Sequence, residues 1–328
     1  MADRDTHWSR IGESGTMLGM KTLLLGYRLF GRRGFRVLLF PVIGYFFLFR
    51  REARLASQEY LRQVSPYLDD EQRARLSSFR HFMMFGEILL DKLLVWIGRI
   101  TRDHVVFATP ETITEIEGNR KGGIIVVSHL GNFEVCSALA NQLPDMRLTI
   151  LVYTRHAVKF NSLMRRYTGD VKVEIMQVTD VSPATSMLLA DRIGAGEYVV
   201  IAGDRTPVTG HQRVSRARFF GRDAPLPQGA FILAGLLQCP VYLLFCLKQE
   251  GRYHVYIEAF RRRLEFGVRA ARTQTLQEAV QAYAQRLEQY CLLAPLQWFN
   301  FFPYWSESSI APVESTAARG RETEITQD

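Results

Sequence analysis

With 328 residues and 47% hydrophobic side chains the chain can bury a sizeable core, so a globular protein is the default. The 41 Lys and Arg outweigh 33 Asp and Glu, a net +8 that favours anionic partners such as membrane surfaces, acidic carriers or nucleic acid. Four cysteines (Cys136, Cys239, Cys246, Cys291) lie in apolar surroundings without a C-x-x-C pair, which points to buried free thiols rather than disulfides or a zinc site.

Met1 to Thr16 is polar and charged with no early apolar run, so no cleaved secretory signal is expected. Residues 1–57 carry ten basic and four acidic side chains interleaved with apolar runs. A basic excess inside the most apolar part of the chain suits an anionic bilayer better than a nucleic-acid groove, because phosphate tracking needs no hydrophobic stripe. Val37 to Phe49 is uncharged, flanked by Arg36, Arg50 and Arg51, and its thirteen residues fall short of a transmembrane helix, which needs ~20. Together with Met17 to Phe35, interrupted by Lys21, Arg28, Arg32 and Arg33, it reads as an interfacial or partly inserted anchor. A buried core helix and a tilted span are the alternatives.

Residues 52–100 read as helical, with Phe79, Phe82, Met83, Phe85, Ile88 and Leu89 spaced by threes and fours. From Lys121 strands and helices alternate. Strands are expected at 123–128, 147–153, 171–178, 198–202, 241–247 and 253–260. Helices are expected at 132–143, 159–167, 183–193 and 228–237, followed by an amphipathic helix carrying Leu276, Val280, Tyr283, Leu287 and Tyr290 on one stripe. A long polar loop separates the 198–202 strand from the 228–237 helix, and its Arg213, Arg216, Arg218 and Arg222 read as solvated cations or a dock for an acidic acyl carrier. This alternation implies an α/β fold, a mixed central sheet with helices on both faces. The expected organisation is an anchoring segment at 1–57, a domain at 58–305 whose first part to residue 120 is helical, and a disordered Ser-, Thr- and Glu-rich tail at 306–328.

The segment richest in chemistry is Ser128-His-Leu-Gly-Asn-Phe-Glu134, between a strand and a helix. A tight glycine turn at the carboxyl end of a sheet strand holds reactive side chains rigidly. His129 can act as a general base, and Glu134 can fold back to orient and stabilise its imidazole. The helix N-terminus beside them can stabilise a developing oxyanion. There is no H-E-x-x-H, no Cys and His ligand set and no G-x-S-x-G elbow, so neither a metal, another cofactor nor a serine nucleophile is expected.

SHLGNFE resembles the H-x4-D/E motif of the lysophospholipid and glycerolipid acyltransferase superfamily, and within it the bacterial lipid A biosynthesis acyltransferases. The likeness continues in order through Tyr153-Thr-Arg155 with Phe160, Asn161, Arg165 and Arg166, then Gly203-Asp204-Arg205, Phe219-Phe220-Gly221, residues 224–230, and Tyr290 with Pro295 to Phe299. It thus covers about residues 20–305 and implies a glycerolipid-acyltransferase-like domain on the cytoplasmic face of an inner membrane. The donor would be an acyl-carrier protein or acyl-CoA and the acceptor a hydroxyl or amine of a membrane lipid. The resemblance makes His129 and Glu134 the catalytic candidates. Gly131, Asn132, Arg155, Arg166, Asp204 and Arg205 are the substrate-binding candidates; Asn132 can instead cap a helix, Arg155 be a surface cation and Asp204 a turn residue. The chain departs from the family pattern at Arg205, where the third block usually has Gln. It departs again after Phe299, where Asn300 to Trp305 replaces a cationic stretch that would suit a phosphorylated acceptor; this ending is similar to a subgroup linked to other envelope lipids, including aryl-polyene-type products. A lipid or thioester hydrolase and a non-catalytic lipid-binding protein are the rival readings.

Overall fold

The computed structural model describes residues 14–118, 121–152 except 141–146, 173–177, 182–206 and 213–305. The expected helix at 159–167, the candidates Arg155 and Arg166, and the tail at 306–328 lie outside the described residues.

Four helices open the fold: α1 (Ser14–Phe49), α2 (Arg51–Val64), α3 (Asp70–Arg75) and α4 (Ser78–Trp96). Then come β1 (Val105–Phe107), α5 (Pro110–Gly118), β2 (Gly123–Val127), α6 (Phe133–Ala140), β3 (Leu148–Val152), β4 (Val173–Gln177), α7 (Pro183–Gly194) and β5 (Tyr198–Ala202). A hairpin of β6 (Val214–Phe219) and β7 (Arg222–Pro227) precedes α8 (Gly229–Leu237), β8 (Val241–Gln249), β9 (Arg252–Arg261) and α9 (Arg269–Leu293). The main sheet has seven strands in the order β1-β9-β8-β2-β5-β3-β4. All neighbouring pairs are parallel except β8 with β9, so the sheet is mixed, as expected.

Strand β2 is buried along its whole length, which is why it reads as an unbroken apolar run. Its alternate residues feed two separate cores. Ile124 and Val126 pack with α7, α8 and the Leu276, Val280, Tyr283, Leu287 and Tyr290 stripe of α9. Ile125 and Val127 pack with α1, α4, α5 and α6 on the opposite face. Helices therefore cover both faces of the sheet.

Two segments differ from expectation. The long polar loop is in part the β6–β7 hairpin: Ser215, Ala217 and Phe219 point inward while Arg216 and Arg218 point out, a period of two partly masked by the exposed arginines. The open edge of β6 is covered by α9, whose Gln277 donates to the Arg216 carbonyl, while Gln281 both donates to the Arg218 carbonyl and accepts from its N–H. The short strand β1 interrupts the stretch to residue 120 that was expected to be helical, and α5 resumes it.

Helix α1 buries one face, as the core-helix alternative expected, and exposes another that is also apolar. Phe35, Leu39 and Ile43, at helical spacing, are buried against α4, whereas Val37, Leu38, Phe40, Val42, Tyr45, Phe46, Leu48 and Phe49 are exposed. No helix among the described residues is long and apolar enough to cross a membrane. The four cysteines are unpaired, and all but the half-buried Cys136 are buried.

One buried histidine ties α2 and α4 to the end of the domain. His81 Nε2 donates to the Trp298 carbonyl at 3.0 Å, and Nδ1 accepts from the Ser57 hydroxyl at 3.0 Å. Ser57 in turn accepts from Ser78. The neutral imidazole satisfies both ring nitrogens, and burial pushes the His81 pKa down to about 4. An unfolded chain takes up a proton at its ordinary imidazole value, so this contribution is complete above about pH 6.5 and is lost as pH falls towards 4. The unfolding free energy should drop by on the order of 3 kcal/mol over that window from this residue. Denaturant titrations of wild type and His81→Gln at several pH values read it as a difference in slope; parallel profiles would remove the assignment.

Candidate active site

Strands β2 and β5 are parallel neighbours with Val127 opposite Ala202. Each chain continues two residues beyond this pair, to His129 and to Asp204, so the register brings the two side chains to the same sheet edge. The helix after β2, α6, packs on one face, whereas α8, reached from β5 through the hairpin, packs on the other. Adjacent strands whose connections diverge leave a crevice outside their carboxyl ends, the usual ligand position in such sheets.

At this crevice His129 Nδ1 lies 2.8 Å from Asp204 Oδ1. The other carboxylate oxygen accepts from the His129 backbone N–H at 2.8 Å and from the Trp298 indole N–H at 3.0 Å. Asp204 is buried, and burial opposes its ionisation; His129 and Arg205 outweigh this and hold its pKa below the usual carboxylate range. The ionised acceptor fixes the proton of His129 on Nδ1 and turns Nε2 outward as the basic atom. Among the described residues no hydrogen bond occupies Nε2, and the side chain is 36% exposed. Burial and the nearby Arg205 charge push His129 below the ordinary imidazole value, against the upward pull of Asp204. The ring is therefore neutral near pH 7, as a general base requires.

Glu134, the expected orienting carboxylate, has a different partner. Its side chain is paired with Lys92 on α4, which, with a backbone hydrogen bond, holds its pKa below the usual value despite burial. It acts on His129 only through its charge. The orienting contact expected of Glu134 belongs in this geometry to Asp204, a residue whose sequence reading was divided between substrate contact and turn. An H-x4-E spacing is visible in the chain, but a partner 75 positions away is visible only once β5 lies beside β2.

Gly131 has φ of +76°, and a Cβ there would collide with the Cys246 carbonyl oxygen. Its N–H donates to Gln297, and the N–H of Asn132 donates to Cys246. With the N–H of Leu130 directed to Ser128 and that of His129 to Asp204, the loop amides serve the loop's own shape. The amides of residues 129–132 are thus committed within the protein, which leaves the expected oxyanion stabilisation to the N-terminus of α6 at Phe133 and not to the turn itself. Asn132 is buried, its amide directed to the Tyr253 hydroxyl. It is not the side-chain cap of α6.

The closing segment holds the loop from the other side. Leu130 pairs with Trp298 in an antiparallel bridge, and the Phe299 N–H donates to the His129 carbonyl. Gln297 prolongs β8 with its side chain, accepting from the Lys248 N–H at 2.9 Å and donating to the Lys248 carbonyl at 2.7 Å. Arg205 is half-buried and donates to the Phe299 carbonyl at 2.6 Å. Beside this segment Phe85, Phe299 and Phe301 form an aromatic wall, with Phe85 39% exposed at its outer end. Trp298 and Phe299 belonged to the likeness read from the sequence, but the indole contact to Asp204 had no sequence signal.

Among the described residues no group of three or more metal-ligating side chains is present. No model of a known protein family matches the chain, and no curated protein matches it.

The two carboxylates are distinguishable by titration. Asp204→Asn should lower the His129 pKa further, since it removes the largest upward influence, and Glu134→Gln should lower it less. Nuclear magnetic resonance of the labelled imidazole reads both values. A larger drop in Glu134→Gln would return the orienting role to Glu134.

Proposed function

We propose that the protein is an acyltransferase that moves a fatty acyl group from a thioester of an acyl-carrier protein or coenzyme A to a hydroxyl or amine of a membrane lipid. The observation that carries this reading is a neutral, half-exposed His129, oriented by buried Asp204 and beside an aromatic wall of Phe85, Phe299 and Phe301. The resemblance of residues 128–134 and the later blocks to lipid A biosynthesis acyltransferases supports the reaction class. On this reading the domain is glycerolipid-acyltransferase-like.

In the reaction His129 Nε2 takes the proton of the acceptor hydroxyl or amine as its oxygen or nitrogen attacks the thioester carbon. Asp204 stabilises the imidazolium so formed without itself being protonated. Collapse of the tetrahedral intermediate forms the ester or amide, and the proton passes from His129 to the departing thiolate. Lys92, held by Glu134, contributes positive charge near the developing oxyanion, a role in keeping with the commitment of the loop amides elsewhere. The apolar wall receives the acyl chain.

The exposed apolar face of α1 and its flanking arginines support attachment to an anionic bilayer, and we place the protein at the cytoplasmic face of an inner membrane. Lipid extracts of cells with and without the protein, compared by mass spectrometry, identify acyl chain and acceptor together. Release of free fatty acid alone would instead indicate a hydrolase, and no change in either product a lipid-binding protein.

His129→Ala should lower turnover by roughly two to four orders of magnitude while the fold survives. Asp204→Asn should be comparably severe, and the double variant scarcely worse than the worse single one, because the pair acts as a unit. Glu134→Gln should lose less than Asp204→Asn. Assays of folded protein with acyl-carrier-protein and coenzyme A thioesters test this; near-normal transfer by His129→Ala would eliminate the mechanism.

A further inference from the structure

Helix α1 contains a bend that its hydropathy does not reveal. Gly31 has φ 63° and ψ −168°, a conformation essentially restricted to glycine, and the two helical segments fold back so that Gly26 faces Leu38. At Gly34 a Cβ would collide with that of Phe30. Gly31-Arg32-Arg33-Gly34 is thus a glycine-built corner with two arginines at its tip. A bent helix that only had to cover the core would not need adjacent cations there.

The corner opens a cleft of about 260 Å³ against α4, lined by Arg32, Arg33, Phe35, Arg36, Glu87 and Leu90. Arg32 contacts the buried Asp91 at 2.8 Å, and Arg36 contacts Glu87 at 2.8 Å. Arg33 is exposed and has no ion-pair or hydrogen-bond partner among the described residues. With Arg32 paired to Asp91 and Arg36 to Glu87, the exposed Arg33 leaves the cleft cationic, and guanidinium geometry matches phosphate oxygens. Immediately beyond, α1 exposes Val37, Leu38 and Phe40, so an anion in the cleft sits beside a surface suited to acyl chains.

We propose that this cleft binds the phosphate group of an anionic lipid headgroup and so sets the depth and orientation of α1 at the bilayer. The site is independent of the acyl-transfer chemistry, and its test involves no turnover. Asp91 also accepts from Lys248 and Tyr253, and the Tyr253 hydroxyl accepts from Asn132. The Arg32 contact is therefore the outer end of a polar chain that reaches the loop of His129.

The experiment compares two double variants of the full chain with equal loss of charge. Arg33→Gln with Arg36→Gln alters the cleft, and Arg50→Gln with Arg51→Gln alters the far end of the same helix. Partition is measured into phosphatidylcholine vesicles doped with phosphatidylglycerol, with circular dichroism to show that both variants fold. The cleft variant should bind about tenfold more weakly than the control variant, the scale of one charge-assisted contact. Equal losses would reduce the effect to diffuse attraction and overturn the proposal. Calorimetry with inorganic phosphate separates the sources: saturable binding of free phosphate that is lost in the cleft variant, combined with equal vesicle partition, would overturn the lipid assignment in favour of a soluble anion.

Discussion

The parallel pairing of β2 with β5, Val127 against Ala202, is the constraint on which the candidate site depends. Strands that rise by the same distance per residue carry equal extensions to equal heights. Two residues beyond the pair, His129 and Asp204 meet, and the buried carboxylate receives the imidazole, a backbone N–H and the Trp298 indole. A slip of one residue in this register would turn the alternate residues of β2 into the wrong cores and separate the two side chains together.

Around that pairing the protein separates carboxylates that sit near one another by giving each a different counter-charge. Asp204 faces Arg205 and accepts hydrogen bonds from His129 and Trp298, while Glu134 is paired with Lys92 and Asp91 with Arg32 and Lys248. Buried charges are stable only when paired in this way, and removing one partner leaves the other uncompensated. The pairing also explains why His129 can stay neutral with two carboxylates near it: burial and Arg205 outweigh their upward pull. The acid–base character of the imidazole is thus a balance between elements from four parts of the chain rather than a property of the seven-residue motif.

The closing segment, Gln297 to Phe299, serves both architecture and site. Its main chain pairs with residues 129–131, its glutamine extends β8, and its indole enters the carboxylate's coordination, while His81 fastens the Trp298 carbonyl from α4. The N-terminal helices are therefore joined mechanically to the loop that bears His129. Arg32, Asp91, Tyr253 and Asn132 form a continuous polar chain from α1 to the same loop.

Periodicity alone determined the elements whose burial is one-sided or complete. The stripe of α9 at 276, 280, 283, 287 and 290 and the apolar runs of β2, β5 and β8 are local signals, written into neighbouring residues by the face each must hide. The α/β class was legible for the same reason, whereas His129 stood out as candidate base through the short SHLGNFE segment at a strand-to-helix junction. Tertiary structure decided what depends on distant residues: the carboxylate beside His129, set by strand register across 75 positions, and the use of the loop amides, set by partners at 246 and 297. It also decided the corner at Gly31, because glycine permits a bend wherever it occurs, and only the packing of α1 on α4 selects that conformation here.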